Sequence, residues 1–206
     1  FALPFNYNAE KCKYDVPYGT IAGTEVNWTA AGSDTLMTNP DNWAQTVNLL
    51  DGSTYAVFAS GNAATVAGDT FLNGFSLNES GSFEIRVADG DAQLRIASGG
   101  INASGVGPYA ISAPIRVEGD QTWQIAKGQE LEVSGSISSD PLARYAIHKK
   151  GEGELVLRED SDFAGDIYLD EGTILLKNDM TMGSDSGTII VGPKRALTLW
   201  GATLKK

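Results

Sequence analysis

The sequence predicts an all-β fold in which short strands stack turn upon turn as a β-solenoid. Three short apolar-alternating runs, Glu154–Leu157, Asp166–Leu169 and Thr173–Leu176, each follow a glycine-containing turn, which is how a sequence writes strand, turn, strand. Gly153-Glu154-Leu155 recurs 19 positions later as Gly172-Thr173-Ile174-Leu175, and again 15 positions on as Gly187-Thr188-Ile189-Ile190. A solenoid tolerates insertions at its corners while holding strands in register, which accounts for unequal spacing of one motif. No stretch carries a sustained 3.6-residue period, so almost no helix is expected beyond one short turn near the N-terminus.

In chain order, residues 1–26 carry Pro4, Pro17 and several tyrosines without a clear period and read as a capping or linking segment. Residues 27–206 read as the β-helix domain, with its repeat unit near 145–204. Asn39-Pro40-Asp41-Asn42 is a turn signal. Tyr55-Ala56-Val57-Phe58, Ala64-Thr65-Val66 and Gly74-Phe75-Ser76-Leu77 follow as strands. Alternation sharpens in Phe83–Val87 and Gln93–Ile96, placing one face in and one out. The Asp89-Gly90-Asp91 turn between them suits a hairpin or a solenoid corner equally. Pro114 cannot donate to a ladder, so it belongs at a strand start or corner. Ser138–Arg144 interrupts the pattern and is the expected projecting loop, and two further strands are expected at Gly187–Val191 and Ala196–Trp200. At ~20 residues per turn the chain would make about ten turns, roughly 45 to 50 Å long at the strand spacing. Periodicity alone leaves an antiparallel β-sandwich as the alternative fold.

Composition narrows function. Hydrophobic residues make up 42% and charged residues 20%, an ordinary folded balance, and 24 glycines without a three-residue period indicate turns rather than collagen. The net charge of −11 repels phosphate backbones and anionic lipid, so neither nucleic acid nor a membrane surface is an expected partner. Cys12 is the sole cysteine, which excludes an intrachain disulfide and a cysteine-rich metal site. No apolar run approaches bilayer length. Phe1–Phe5 is too short for a signal-peptide core, so a mature or excised piece of a longer protein is expected.

Lys150-Gly151-Glu152-Gly153-Glu154-Leu155-Val156-Leu157, Phe163-Ala164-Gly165-Asp166-Ile167 and Glu171-Gly172-Thr173-Ile174-Leu175-Leu176 resemble the autotransporter-associated β-strand repeat. That pattern reads Lys-x-Gly-x-Gly-Thr-Leu-x-Leu, a Tyr-x-Gly-Gly turn, then Gly-Thr-Leu-x-Leu. Glu154 departs from its threonine, and Ala164-Gly165 from its Gly-Gly. Asn27-Trp28 with the strands up to Leu77 is similar to the N-terminal turns of the same family, and Ala110–Ile137 continues the likeness. The resemblance implies a right-handed parallel β-helix and a non-catalytic structural or display role as a rigid stalk at a bacterial cell surface. It also implies further passenger modules and a membrane-anchoring translocator domain as partners, with host or environmental glycans as candidate ligands.

His148, the sole histidine, is the only available base for a serine triad, and no Gly-x-Ser-x-Gly elbow occurs. Asp160, Asp162, Asp166 and Glu171 fall at places 1, 3, 7 and 12 of an EF-hand loop with Gly165 at place 6, so the spacing admits Ca²⁺, although Ala164 occupies place 5 and the flanks are strands. No other cofactor is expected. Asp89-Gly90-Asp91 and Asp185 read as turn residues. A β-helical polysaccharide lyase or hydrolase would set a base beside an electrophile, for which Arg144, Lys149 and Lys150 near Asp160 and Asp162 are the candidates. A carbohydrate-binding module would use exposed tryptophans, Trp28, Trp43 and Trp123 with Trp200, although large aromatics more often fill cores. Asn27-Trp28-Thr29, Asn78-Glu79-Ser80 and Asn102-Ala103-Ser104 fit the glycosylation sequon.

Overall fold

The computed structural model describes residues 7–8, 13–14, 23–88, 90–159, 161–177, 188–193 and 195–200. A short antiparallel pair, β1 (Tyr7–Asn8) and β2 (Lys13–Tyr14), comes first. There follow β3 (Thr24–Trp28), a 3₁₀ turn at Pro40–Asn42, β4 (Thr54–Phe58), β5 (Ala63–Val66), β6 (Thr70–Leu77), β7 (Phe83–Val87) and β8 (Leu94–Ala103). The chain continues through β9 (Tyr109–Ile111), β10 (Ile115–Val117), β11 (Gln121–Ile125), β12 (Glu130–Val133), β13 (Ile137–Ser139) and β14 (Ile147–Lys150). It closes with β15 (Glu154–Leu157), β16 (Ile167–Leu169), β17 (Thr173–Lys177), β18 (Ile189–Val191) and β19 (Ala196–Trp200).

From β3 onward the named strands pair in parallel, in one sheet of ten strands and one of seven, and together they form a β-solenoid of about six turns. β6 and β8 each bend across a corner, where the register slips between Leu72 and Gly74. Beyond that corner β10 and β13 continue one face, while β11, β14, β16 and β18 continue a second, the long face. The seven-stranded sheet makes the third. The chain visits the faces in rotation, so each strand pairs with its equivalent a turn away, and a parallel ladder is the only pairing this path permits. The sandwich alternative is thereby excluded.

The turns are fewer than ten because their corners are long. On the long face Val26 is followed by Ala56 and Phe75 by Ile101, advances well beyond 20 residues. Eight strands along that face span about 34 Å at ~4.8 Å per step. The repeat also needs re-registering. Leu155 pairs with Ile174, as the Gly153/Gly172 spacing predicts, but Ile174 pairs next with Leu197, whereas Ile189 lies on the long face opposite Ile167. Gly187 itself lies outside the described residues. Asp89 does too, but Gly90-Asp91 belongs to a corner, since β7 and β8 are in different sheets. Pro114 sits directly before β10, as expected, and the projecting loop begins at Asp140, because Ser138 and Ser139 belong to β13. The long face starts at Thr24, inside the segment read as a cap.

Inward positions fill the core. Along the long face Val26, Ala56, Phe75, Ile101, Trp123, Lys149 and Leu169 form one buried ladder. Burying each large apolar member is worth ~1.5–3 kcal/mol. At the N-terminal end Trp28, Trp43, Phe58, Phe75 and Phe83 join in edge-to-face and tilted contacts with ring centres 5.0 to 6.0 Å apart. The 3₁₀ turn is capped by Asn39, whose side chain accepts from the Asp41 N–H at 3.0 Å. Asn39→Ala is expected to cost about 1 kcal/mol in urea unfolding; an unchanged midpoint would mean that the cap is dispensable.

Candidate functional site

The three candidate tryptophans are not sugar platforms. Trp28, Trp43 and Trp123 are 1%, 6% and 0% exposed. Strand alternation puts Trp28 and Trp123 inward, and the antiparallel bridge between Trp28 and Trp43 folds the second indole over the first. Trp43 donates its indole N–H to the Met37 carbonyl at 2.7 Å, and Trp123 donates to the Gln121 side-chain oxygen at 2.8 Å. The side chain of Trp200 lies outside the described residues.

The calcium candidates are scattered by the strand between them. Asp160 is outside the described residues. Asp162 is exposed and bridges Ser138 in the neighbouring turn. Asp166 accepts from the Thr188 N–H at 3.1 Å, and Glu171 from the Gly151 N–H at 2.9 Å. Two of the four carboxylates thus tie a corner to an adjacent turn, and among the described residues no three His, Cys, Asp or Glu gather to hold a metal. Asp185 lies outside the described residues.

The lyase constellation is also undone by alternation. The same register that turns Trp123 inward turns Lys149 inward one step later, and Lys149 is 0% exposed. Its ammonium donates to the carbonyls of Lys150 (3.0 Å), Gly151 (2.7 Å) and Glu171 (3.1 Å). Burial lowers this amine to about 8, against the opposing attraction of the Glu171 carboxylate. Gly172, at φ 74°, leaves room for it, since a β-carbon there would stand 2.8 Å from the ammonium. Lys149 is a corner tie facing the core, so it meets no substrate. Lys150 is exposed, and Arg144 sits in the projecting loop at φ 48°.

His148 faces outward beside these residues. Its ring stacks on Tyr168 at 4.7 Å and 8°, and its Nδ1 lies 2.8 Å from Asp170 Oδ2. A histidine–carboxylate pair orients a base, but the ladder neighbour on its other side is Thr122, not serine. The side-chain ladder itself accounts for the stack.

Surface grooves remain among the described residues. One, about 770 Å³, runs along the Thr38–Leu50 segment to Asp69 and Thr70. A second, about 470 Å³, lies on the third face between Glu84 and Glu132. Both acids are engaged there, Glu84 accepting from the Ser112 hydroxyl at 2.6 Å and Glu132 pairing with Arg158 at 2.7 Å. A third, also about 470 Å³, lies on the long face beside Tyr55 and is lined by Asn27, Asn78 and Asn102. All three sequon asparagines therefore line one groove, although their triplets are separated in sequence. Only the parallel register brings them together, and no local motif announces it.

Comparison with models of protein families, with characterised proteins and with solved structures finds no match for this chain. Among the described residues no helix is long and apolar enough to cross a membrane.

Proposed function

We propose that this chain is a non-catalytic structural segment, a rigid β-solenoid spacer of a bacterial surface protein of the autotransporter-passenger type. In this reading it works outside the cell, joined to further passenger modules and to a membrane-anchoring translocator domain. The observation that carries the reading is the core ladder, continuous from Val26 through Leu169 across successive turns. Such a stack resists bending because every strand edge within it is satisfied by the next turn. The repeat-like residues between Lys150 and Leu176 add the family expectation.

Stiffness is the testable property. Spin labels at exposed Ser53 and Glu152, placed through cysteines in a Cys12→Ser background, are expected to give one narrow distance distribution by double electron–electron resonance. A broad or two-peaked distribution would overturn the rigid-spacer reading. Depolymerisation of any polysaccharide by the purified chain would overturn its non-catalytic part.

A further inference from the structure

We propose that the groove beside Tyr55 on the long face binds a neutral oligosaccharide. Two outward rows build it. One pairs Glu25 with Tyr55, the next runs Asn27, Val57, Ser76, Asn102, and Gly23 and Gly99 also line the groove. Neither glycine admits a side chain. A β-carbon on Gly23 would stand 2.7 Å from the Asn73 β-carbon, and one on Gly99 would stand 2.8 Å from the Asn73 carbonyl. The half-buried Tyr55 therefore shares the groove with side-chain amides and with backbone that the two glycines leave bare.

The chemistry of this lining selects the ligand class. Side-chain amides donate and accept at once, as sugar hydroxyls do, and no hydrogen bond among the described residues uses the side-chain amides of Asn27 or Asn102. Asn78 is held ready by its neighbours, accepting from the Ser104 hydroxyl at 2.7 Å. An aromatic ring offers an apolar face to the C–H side of a sugar ring. The ionisable side chains of the groove are Glu25 and Tyr55, and burial with the Glu25 charge raises the Tyr55 phenol, keeping it neutral. With a net charge of −11 around it, the groove disfavours anions. An extended peptide is a poorer fit, because strand addition needs a free edge and this groove lies on the face of a paired sheet. Asn27 and Asn102 stand three ladder steps apart, about 14 Å, so the ligand lies along the solenoid axis.

The test is calorimetry with malto-, cello-, xylo- and chito-hexaose, preceded by an array of neutral glycans, with oligogalacturonate and an extended-peptide panel as comparators. Saturable binding of at least one neutral probe is expected, weakened about tenfold or more by Tyr55→Ala and by Asn102→Ala. Tyr55→Phe, which keeps the ring, should retain affinity within about threefold, and Tyr168→Ala, farther along the same face, should leave it unchanged. Melting temperatures report folding, and Asn27→Ala serves if Tyr55→Ala unfolds. The proposal is overturned if no neutral glycan binds, if binding survives both substitutions, or if oligogalacturonate or a peptide binds in preference. The outcome does not depend on whether the solenoid is a spacer.

Discussion

Trp123→Ala is expected to destabilise the protein by about 4 kcal/mol, the range found when a large aromatic is deleted from a closed core. Trp123 is fully buried midway along the inward ladder, between Ile101 and Lys149. Its removal also strips the Gln121 side-chain oxygen of its donor, while the Gln121 amide still reaches the Ile96 carbonyl at 3.2 Å. Trp123→Phe should recover more than half the loss, because it refills most of the volume but leaves the Gln121 side-chain oxygen without its donor. In a stack where each turn touches only its neighbours, hydrogen exchange should accelerate most in β8, β11 and β14. An unfolding free energy within about 0.5 kcal/mol of the parent's, the size of the mildest core deletion, would contradict the packing described.

Lys149 carries the second large effect. Lys149→Ala is expected to cost about 3 kcal/mol, from the lost packing of the stem and from the carbonyls of Lys150, Gly151 and Glu171 losing their shared donor inside the corner. Lys149→Met, which keeps the stem, should cost nearer 1 kcal/mol, since it also removes the desolvated charge. The pH dependence separates packing from charge. The folded amine releases its proton near 8 and the unfolded lysine near 10.5. Between those values the unfolded chain binds the extra proton, so stability rises with pH. From pH 7 to pH 10 the parent should gain roughly 2 kcal/mol over Lys149→Met. Above pH 10 Tyr55 and Tyr109, whose phenols burial pushes up, contribute the opposite slope in both proteins. Parallel pH profiles for parent and variant would show that the amine is not held in the corner.

The strand pattern was open to reading because alternation is local. β15 and β19 fall where glycine-bounded apolar runs place them, and the 19-residue spacing correctly pairs Leu155 with Ile174. The 15-residue spacing misled because Gly-Thr-Ile-x announces a strand without naming its face, and corner length decides which face that strand joins. The candidate residues failed for a related reason. Lys149 reads as a surface base and Trp123 as a platform until the register turns both inward, and nothing local distinguishes the two sides of a strand.

By itself the sequence determined that this is an all-β chain of short, glycine-punctuated strands with an acidic surface. Residue chemistry and period-two alternation act within a few positions and need no partner to be recognised. The tertiary structure alone decided the number of turns, the inward fate of three tryptophans and a lysine, and the meeting of Asn27, Asn78 and Asn102 beside Tyr55. Those outcomes depend on register between strands some 20 to 30 residues apart, set jointly by every corner and by the core they enclose.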